Sequence, residues 1–213
     1  MDFLPEEIND YAISHTSKES DLLYELNRKT NSNILLPRML SGHLQGRLLS
    51  MFSKMISPER ILEIGTYTGY SALCMAEGLI GDAKLYTIDI NDELEDFVKS
   101  FISKSAHSDK IEYIIGDALD IIPSLNESWD LVFIDADKEN YCAYYDMLID
   151  NINSGGYLIA DNVLWSGKVL DLRTNKDYET QGLDKFNKLI NNDSRVENIL
   201  LPIRDGLMIV RKK

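Results

Sequence analysis

Five short apolar runs divide the middle of the chain at regular intervals, with polar or helical segments between them. The intervals, roughly 20–27 residues from one run to the next, are typical of βαβ units, in which a helix connects two parallel strands. Runs as uniformly apolar as these indicate strands whose two faces are both covered by helices. The pattern therefore predicts a parallel α/β sheet, with strands at 61–64, 85–88, 111–115, 131–134 and 157–160.

The last part of the chain has a different pattern. Two β-rich runs, 196–201 and 207–210, flank the segment Arg204-Asp205-Gly206. An Asp-Gly pair between two such runs is a hairpin signal, so at least one antiparallel strand closes the predicted sheet. The polar residues 171–182, which precede the last predicted helix, are expected to form a mobile surface loop.

The beginning of the chain carries the signals of helices. Thr16 and Glu19 have the spacing of a capping box at the start of a helix. Residues 1–38 are expected to form a helical extension that packs over the domain or against another subunit. The helices predicted before the sheet are 6–15, 18–30 and 41–56, with a break at 31–33.

The first apolar run continues into a glycine turn and a helix. The stretch 60–76, R-I-L-E-I-G-T-Y-T-G-Y-S-A-L-C-M-A, predicts a strand, then a turn at 65–69 and a helix at 71–79. Backbone N–H groups and a positive helix end then lie at the carboxyl end of a strand, where open α/β sheets bind nucleotide-like ligands. Asp89 follows Gly65 at close to the ~20-residue offset of a ribose-binding carboxylate. Two simpler interpretations stay open, with Gly65 as only a turn glycine and Asp89 as a helix cap.

Composition and charge narrow the classes of function. The 213 residues are 44% hydrophobic, which suits one folded domain over 1–213. The net charge of −13 argues against a nucleic-acid or anionic-membrane partner, since both need a basic surface. No long apolar run and no basic, apolar leader occur, so we expect neither a membrane span nor a secretory signal. Cys74 and Cys142 lie in predicted helices without paired spacing, which favours a cytoplasmic, reduced protein.

Each predicted parallel strand contains or precedes an acidic residue at its carboxyl end. Because these ends meet at one edge of the sheet, the five side chains converge there, and we call them the acidic rim. Helix capping explains one or two of them, but a full set repels itself and calls for a cation or a hydroxyl-rich ligand. The acidic rim consists of Glu63, Asp89, Asp117, Asp135 and Asp161.

The rim divides into a nucleoside side and a metal side. On the nucleoside side, the first three strands are flanked by Glu63, Gly65, Ser71, Asp89, Asp117 and Ala118. On the metal side, Asp135, Asp161 and Asn162 form a hard-oxygen set that suits Mg²⁺ or Ca²⁺ better than zinc, with Asp137 and Lys138 nearby. A simpler interpretation makes Asp161-Asn162 a helix cap and Lys138 a surface lysine that balances Asp135.

The histidines and one tryptophan carry less information. His15, His43 and His107 have no metal-ligand spacing, although the position of His43 allows it to approach the rim. Trp165 follows the fifth strand and is either a core residue or one wall of a flat substrate pocket.

These motifs resemble those of the cation-dependent O-methyltransferases, the family of catechol O-methyltransferase, caffeoyl-CoA O-methyltransferase and their bacterial relatives. The resemblance runs from about Met39 to the final strand, in L-E-I-G-T-Y-T-G-Y-S, T-I-D-I, G-D-A, F-I-D-A-D-K-E-N-Y and I-A-D-N-V-L-W-S-G-K-V. It implies a Rossmann-like, seven-stranded, mostly parallel α/β sheet with a C-terminal antiparallel hairpin, helices on both faces and extra N-terminal helices. It also implies a small dihydroxyaromatic acceptor and, commonly, a homodimer.

The resemblance also implies roles for individual residues. Glu63 or Asp89 would bind the ribose or methionine portion of S-adenosylmethionine, Asp117 would bound the adenine pocket, and Asp137 would face the cofactor. Lys138 would take the proton of the reacting hydroxyl, with Asp135 as its catalytic partner. The implied ligands of Mg²⁺, or of Ca²⁺ or Mn²⁺ in its place, are Asp135, Asp161 and Asn162. The implied cofactor-binding residues are Ser41, Glu63, Gly65, Thr66, Ser71, Asp89, Asp117, Ala118 and Asp137.

Two other classes of protein share part of this pattern. A nicotinamide-dependent oxidoreductase would use the same strand, turn and helix, but Tyr67 occupies the position of the second glycine of G-x-G-x-x-G. A non-catalytic cofactor-binding module would have no need of Lys138 or of the metal side of the rim. The acceptor stays open between a free catechol, a cinnamoyl-CoA ester and a secondary metabolite.

Overall fold

The computed structural model describes residues 5–213, and residues 1–4, where the predicted extension and any leader would begin, lie outside it. Within the described residues, seven strands form one sheet and eight α-helices pack around it. The strands are β1 (Arg60–Ile64), β2 (Lys84–Asp89), β3 (Ile111–Ile115), β4 (Trp129–Ile134), β5 (Ile152–Ala160), β6 (Val196–Leu201) and β7 (Leu207–Lys212). The helices are α1 (Glu6–Ser14), α2 (Asp21–Asn33), α3 (Gly42–Ile56), α4 (Tyr70–Ala76), α5 (Glu95–Ile102), α6 (Ala118–Leu125), α7 (Tyr141–Leu148) and α8 (Tyr178–Asn192). In this part of the chain no helix has the length and apolar character needed to cross a membrane.

The sheet has the strand order β3-β2-β1-β4-β5-β7-β6. The strands from β3 to β5 pair in parallel, whereas β7 runs antiparallel to both β5 and β6. The predicted Rossmann-like α/β sheet with an antiparallel C-terminal hairpin is therefore confirmed. The chain order reverses between β1 and β4, and ligands of such sheets bind in the crevice at the carboxyl ends of the strands at that point.

The central strands bury both of their faces, as their composition predicts. On β1, Ile61 joins an apolar cluster that contains Leu49 of α3, and Leu62 joins the cluster on the opposite face with Tyr145 of α7. Each apolar side chain buried in this way contributes about 1.5–3 kcal/mol. β3 departs from the prediction because it lies at the edge of the sheet, where Glu112 is exposed. The rigid centre of the sheet therefore lies directly beneath the crevice.

The start of α2 differs from its prediction. The helix begins at Asp21 because the side chain of Ser20 accepts a hydrogen bond from Leu23 N and acts as the N-cap. The predicted capping box of Thr16 and Glu19 is therefore wrong. The Oγ1 of Thr16 instead donates to Ala12 O (2.7 Å), at the end of α1.

The end of α2 also differs from its prediction, and its packing shows how the extension attaches. The predicted break at 31–33 is wrong because the helix continues to Asn33. Leu26 is fully buried in the cluster that contains Tyr70, and the hydroxyl of Tyr70 donates a hydrogen bond to Glu19. The extension therefore packs over the domain through α2.

The predicted loop at 171–182 is shorter than expected. Asp177 caps α8 by accepting a hydrogen bond from Thr180 N (2.9 Å), so residues from Tyr178 onward are helical. A Cβ at Gly182 would lie 2.7 Å from the main-chain oxygen of Lys138. The first turns of α8 therefore pack closely against the backbone of the rim.

Candidate active site

Gly65 brings the turn after β1 into contact with the end of β4. Its φ of 97° lies in the left-handed region, and its N–H donates to Ile88 O (2.9 Å). A Cβ at this position would lie 2.2 Å from the main-chain oxygen of Asp135, so only glycine can be accommodated. Gly65 is thus required by a backbone contact as well as by the turn.

A narrow cleft lies between this turn, helix α4 and the segment before α3. It gathers part of the predicted cofactor set together with one residue of the metal side. The predicted residues that line it are Ser41, Gly65, Thr66, Ser71 and Asp135, and its other lining residues are Met39, Leu40, Tyr67, Thr68 and Tyr70. The predicted residues outside its lining are Glu63, Asp89, Asp117, Ala118, Asp137, Lys138, Asp161 and Asn162.

Glu63 is fully buried near the end of β1, with 0% of its surface exposed. Its Oε2 accepts a hydrogen bond from Thr87 Oγ1 (2.5 Å), which in turn lies 2.5 Å from Thr66 Oγ1. Burial raises the pKa of Glu63 to about 8. Its Oε1 has no partner with good hydrogen-bond geometry within the described part of the chain, although the nearby hydroxyl of Ser71 favours the charged carboxylate. A donor from a ligand would satisfy this oxygen and stabilise the charged carboxylate.

Asp89 is oriented by two backbone N–H groups at the end of β2. Its Oδ2 accepts from Tyr67 N (2.6 Å) and its Oδ1 accepts from Asn91 N (2.9 Å). The cap of the short 3₁₀ helix that follows is Asn91, whose side chain accepts from Glu93 N (2.9 Å). Asp89 is therefore not a helix cap. Its carboxylate is bonded instead to the turn at 65–69, which we call the cofactor turn because it carries part of the predicted cofactor set.

Tyr67 connects the cofactor turn to the N-terminal extension. Its backbone has a φ of 49°, and its hydroxyl donates to Leu35 O (3.0 Å) and Leu36 O (3.3 Å). These two residues directly precede the 3₁₀ helix Pro37–Met39, whose last residue lines the cleft. The position that holds a glycine in a dinucleotide-binding turn thus carries a side chain that anchors the wall of the cleft.

Asp117 and Asp137 have local partners at helix ends. Asp117 is exposed, and its side chain caps α6, which begins at the buried Ala118. Asp137 is also exposed, and its two oxygens accept from Tyr144 OH and Asn140 Nδ2 (2.5 Å each). Their contacts with a cofactor stay predictions.

Lys138 is buried at the start of the 3₁₀ helix after β4, with 6% of its surface exposed. Its Nζ donates to Asp135 Oδ1 (2.9 Å) and to Tyr141 OH (2.8 Å), and lies 5.8 Å from the centroid of the Trp165 ring. Burial lowers the pKa of Lys138, but Tyr141 and Asp135 together raise it by more than burial lowers it. The pKa of Lys138 therefore lies above its usual value. The interpretation of Lys138 as a surface lysine is therefore wrong.

Asp161 is buried at the end of β5, with 3% of its surface exposed. Its Oδ2 accepts from Gln45 Nε2 (2.6 Å), and its main-chain oxygen accepts from Tyr141 OH (3.0 Å). Burial, followed by the charge of Asp135, raises the pKa of Asp161 to about 6. Asn162 comes next with a φ of 60°, a left-handed conformation that turns the chain at the end of the strand.

The donor chemistry on this side of the rim suits a hard divalent cation. Asp135 and Asp161 bring carboxylate oxygens, and Asn162 adds an amide. The charge of Asp135 disfavours ionised Asp161, so added positive charge would stabilise the pair. Over residues 5–213, no group of three or more His, Cys, Asp or Glu side chains is arranged to hold a metal ion. The predicted set differs from such a group because its third ligand is an amide.

Several residues that contact the predicted set were not identified from the sequence, and four of them are buried or join distant segments: Gln45, Thr87, Tyr141 and Arg204. Gln45 had a signal, since it is a polar residue within the apolar periodicity of α3, and it is fully buried. Thr87 and Tyr141 lie in a strand and a helix whose apolar patterns accommodate them as core residues. Arg204 had no signal beyond its place before the Asp-Gly turn.

The remaining candidates take structural positions. His43 Nε2 lies 2.8 Å from Ser17 O and is bonded there rather than to a rim carboxylate. Cys74 in α4 and Cys142 in α7 are free thiols, as predicted.

A ligand with a nucleoside part and a positively charged part would satisfy both the acidic rim and the unpaired oxygen of Glu63. This is the chemistry of the class of enzymes that bind S-adenosylmethionine at the switch point of a Rossmann-like sheet.

Comparison with known proteins identifies the family. The O-methyltransferase family model matches residues 13–213. The caffeoyl-CoA O-methyltransferase of Stellaria longipes is 33% identical over 205 residues, which are 92% of this chain and 85% of the relative. The O-methyltransferase from Bacillus cereus, in complex with S-adenosylhomocysteine (SAH), superposes with a TM-score of 0.89 at 29% identity over 97% of each chain. TomG from Streptomyces achromogenes, an O-methyltransferase in complex with S-adenosylmethionine, superposes with a TM-score of 0.88 at 27% identity over 97% and 96% of the two chains.

The chain therefore belongs to the O-methyltransferase family, and it is an S-adenosylmethionine-dependent O-methyltransferase of the caffeoyl-CoA type. This membership sets aside the nicotinamide-dependent oxidoreductase and the non-catalytic module.

Proposed function

We propose that the enzyme methylates one hydroxyl of a catechol-type acceptor, a small vicinal dihydroxyaromatic, with the help of a divalent cation. The observation that carries this proposal is the buried Lys138, whose Nζ lies 2.9 Å from Asp135, the residue that directly follows β4. A lysine buried this deeply at a ligand-binding edge suits a group that exchanges a proton with the acceptor.

The cofactor occupies the nucleoside side of the rim in this proposal. The unpaired Oε1 of Glu63 would accept a hydrogen bond from the methionine or ribose portion, and Asp89 is already oriented toward the turn by Tyr67 N. When bound, S-adenosylmethionine supplies a methyl group on a sulfonium that departs as a neutral sulfide. The proposed binding residues are Ser41, Glu63, Gly65, Thr66, Ser71, Asp89, Asp117, Ala118 and Asp137.

Asp135, Asp161 and Asn162 would hold Mg²⁺, or Ca²⁺ or Mn²⁺ in its place. When bound, the cation supplies positive charge that lowers the pKa of the acceptor hydroxyls and offsets the carboxylate charge that keeps Lys138 protonated. Lys138 Nζ then takes the proton of the hydroxyl that is methylated, and Asp135 keeps Nζ in place through its hydrogen bond. The deprotonated oxygen is the nucleophile, and holding it ~3 Å from the methyl carbon supplies much of the rate.

The acceptor class is tested by a methyl-transfer screen over free catechols and cinnamoyl-CoA esters, with and without Mg²⁺, and with the methylated position assigned by NMR. CoA esters are included because the relative from Stellaria longipes is named for one. Full activity after treatment with EDTA would contradict the metal part of the proposal.

The base is tested by Lys138→Ala, which we expect to lower kcat by about 10²–10⁴-fold because proton transfer is lost. The matched control is Lys168→Ala, since Lys168 Nζ also lies 5.8 Å from the Trp165 ring but is exposed. SAH binding, measured for both variants, reports whether the fold is intact. Unchanged kcat in Lys138→Ala would contradict the role of the lysine.

We also propose that two copies of the chain form a homodimer in the cytoplasm. Apolar side chains of α1 and α3, Tyr11, Met51 and Met55, are exposed, the last with 73% of its surface. Sedimentation equilibrium of Met55→Glu is expected to show a shift toward monomer, whereas Ile199→Glu on the edge strand β6 leaves the mass unchanged. The reverse result would place the contact at the edge of the sheet.

A further inference from the structure

Arg204 holds three oxygen atoms at the start of α3, although it lies far along the chain in the turn between β6 and β7. Its Nη1 donates to Gln45 Oε1 (3.1 Å) and to the main-chain oxygen of Ser41, and its Nη2 donates to Leu40 O (3.2 Å). Its φ of 51° is a left-handed conformation that is unfavourable for a residue with a side chain. The contacts of the guanidinium thus stabilise a backbone conformation that glycine would adopt more easily.

Gln45 uses both ends of its buried amide. Its Oε1 accepts from Arg204, and its Nε2 donates to Asp161 Oδ2 (2.6 Å). Because an arginine can only donate, it requires the oxygen of the amide on its own side, and this leaves the NH₂ group to face Asp161. Arg204 therefore decides which way round the amide of Gln45 lies.

We propose that Arg204 is a positioning residue for the metal side of the rim, where it acts through Gln45 to hold the Asp161 carboxylate in its metal-binding orientation. This inference rests on the proposed role of Asp161 as a metal ligand. Partners that orient a ligating carboxylate typically account for about 10–100-fold in metal affinity. The last turn of the chain thereby supports a site whose ligands come from the ends of β4 and β5.

The contacts of Arg204 with Leu40 and Ser41 also support the cofactor cleft, so the test has to separate positioning of Asp161 from general packing. Mn²⁺ binding by the full chain, measured by calorimetry without cofactor or acceptor, reports on the metal side of the rim, to which Gln45 is bonded only through Asp161. SAH binding, measured without metal, reports on the cleft. We expect Arg204→Met and Gln45→Met each to raise the Kd for Mn²⁺ about tenfold. SAH affinity should fall less than Mn²⁺ affinity in both.

A double variant and a control on the same helix sharpen the test. If both residues act along one path, Arg204→Met combined with Gln45→Met binds Mn²⁺ no more weakly than Gln45→Met alone. The control is Arg47→Met, because Arg47 also extends from α3 but bonds Glu77 (2.7 Å). It should lower the thermal midpoint and leave the Kd for Mn²⁺ unchanged. Arg204→Lys keeps the charge without the fork of donors and should raise the Kd severalfold, which provides the test should Arg204→Met not fold.

Each contrary result has a distinct meaning. A wild-type chain that binds no Mn²⁺ overturns the metal part of the proposed function, and this inference with it. Tight binding by the wild type with an unchanged Kd in the Arg204 variants overturns the inference alone. An equal loss in Arg47→Met, or additive losses in the double variant, also overturns it, because the effect then comes from packing or from an independent route.

Discussion

Helix α3 contacts two carboxylates whose surroundings are opposite. Glu77 accepts hydrogen bonds from three side chains of this helix, Arg47 (2.7 Å), Ser50 (2.8 Å) and Lys54 (2.9 Å). Burial alone would raise the pKa of Glu77, but these hydrogen bonds lower it to about 2. Asp161 receives only the neutral amide of Gln45 from α3, and its pKa is raised to about 6.

The difference separates a completed structural contact from a binding position. Glu77 has its charge balanced within the chain, so nothing further is needed to stabilise it. Asp161 is more deeply buried than Glu77, whose side chain is 22% exposed, and its hydrogen-bond donors are the neutral amide of Gln45 and the N–H of Asn162. Burial and the carboxylate of Asp135 raise its pKa by more than the charges of Lys138 and Arg204 lower it. A carboxylate in that state is stabilised by a cation from outside the chain. Glu63, buried and with an unpaired oxygen, belongs with Asp161 in this respect.

The largest expected effect comes from removing the charge at the binding position. Asp161→Asn should lower kcat for methyl transfer by about 10²–10³-fold, because a charged group that stabilises the reacting centre is lost. Its thermal midpoint should stay within a few degrees of the wild type, since no balanced ion pair is broken. Steady-state kinetics and calorimetry check both expectations, and a kcat within twofold of the wild type would count against the comparison.

At Glu77, the carboxylate that α3 balances with its own side chains, we expect the opposite: a loss of stability without a loss of activity. Glu77→Gln should lower the free energy of unfolding by about 1–3 kcal/mol, because Arg47 loses the charge of its partner, while kcat is unchanged. Since the folded pKa of about 2 lies below the usual 4.5, the stabilisation is present above pH 4.5 and disappears as pH falls toward 2. Urea unfolding at several pH values measures this. Glu197→Gln, at an exposed pair with Arg211 (2.8 Å), is the control and should change nothing measurable.

Glu63→Gln should raise the stability of the ligand-free protein and lower its affinity for S-adenosylmethionine. The folded pKa of about 8 lies above the usual 4.5, so the wild type loses stability as pH rises from 4.5 through 8. Removing the ionisable group should stabilise the ligand-free protein at pH 8 by at most about 4 kcal/mol, with no gain at pH 4. S-adenosylmethionine affinity should fall about tenfold. A variant that is destabilised equally at both pH values would show that ionisation of the buried carboxylate does not destabilise the wild type.

The smallest effect is expected at Tyr67, whose side chain contacts the wall of the cleft and bonds neither the Glu77 nor the Asp161 carboxylate. Tyr67→Phe removes the hydrogen bonds to Leu35 O and Leu36 O and should cost at most about 1 kcal/mol of stability. The KM for the acceptor should rise a few-fold with little change in kcat, because the wall is loosened and the rim is untouched. A large fall in kcat would mean that the hydroxyl of Tyr67 is also needed to keep the backbone N–H of Tyr67 in place for Asp89.

The fold was largely predictable because its determinants are local and repeated. The apolar runs from 61 to 160 are long enough and regular enough to specify parallel strands, and Asp205-Gly206 specifies the hairpin. The extension was less predictable because two capping positions compete. Ser20 rather than Thr16 begins α2, while Glu19 is drawn to Tyr70, a residue far along the chain.

The candidate site was predictable where its residues directly follow strands. Asp135 and Asp161 each come immediately after a strand, so their shared edge follows from topology alone. The depth of burial of Lys138, the amide of Gln45 and the guanidinium of Arg204 could not be predicted in the same way. The last two depend on contacts between segments more than 100 residues apart, such as Gln45 with Asp161. No spacing pattern in the sequence encodes such a pair.

The backbone contact between Gly65 and Asp135 has a consequence for how this enzyme can change. It joins the nucleoside side of the rim to the metal side through the ends of β1 and β4, with no side chain between the two backbones. Side chains can exchange partners when pH or ionic strength changes. The spacing set by two peptide backbones in contact does not change with either. In the proposed reaction, the path of the methyl group is therefore a fixed dimension of the sheet. In the same proposal the choice of acceptor is left to the surrounding loops, which can diverge while that dimension stays constant.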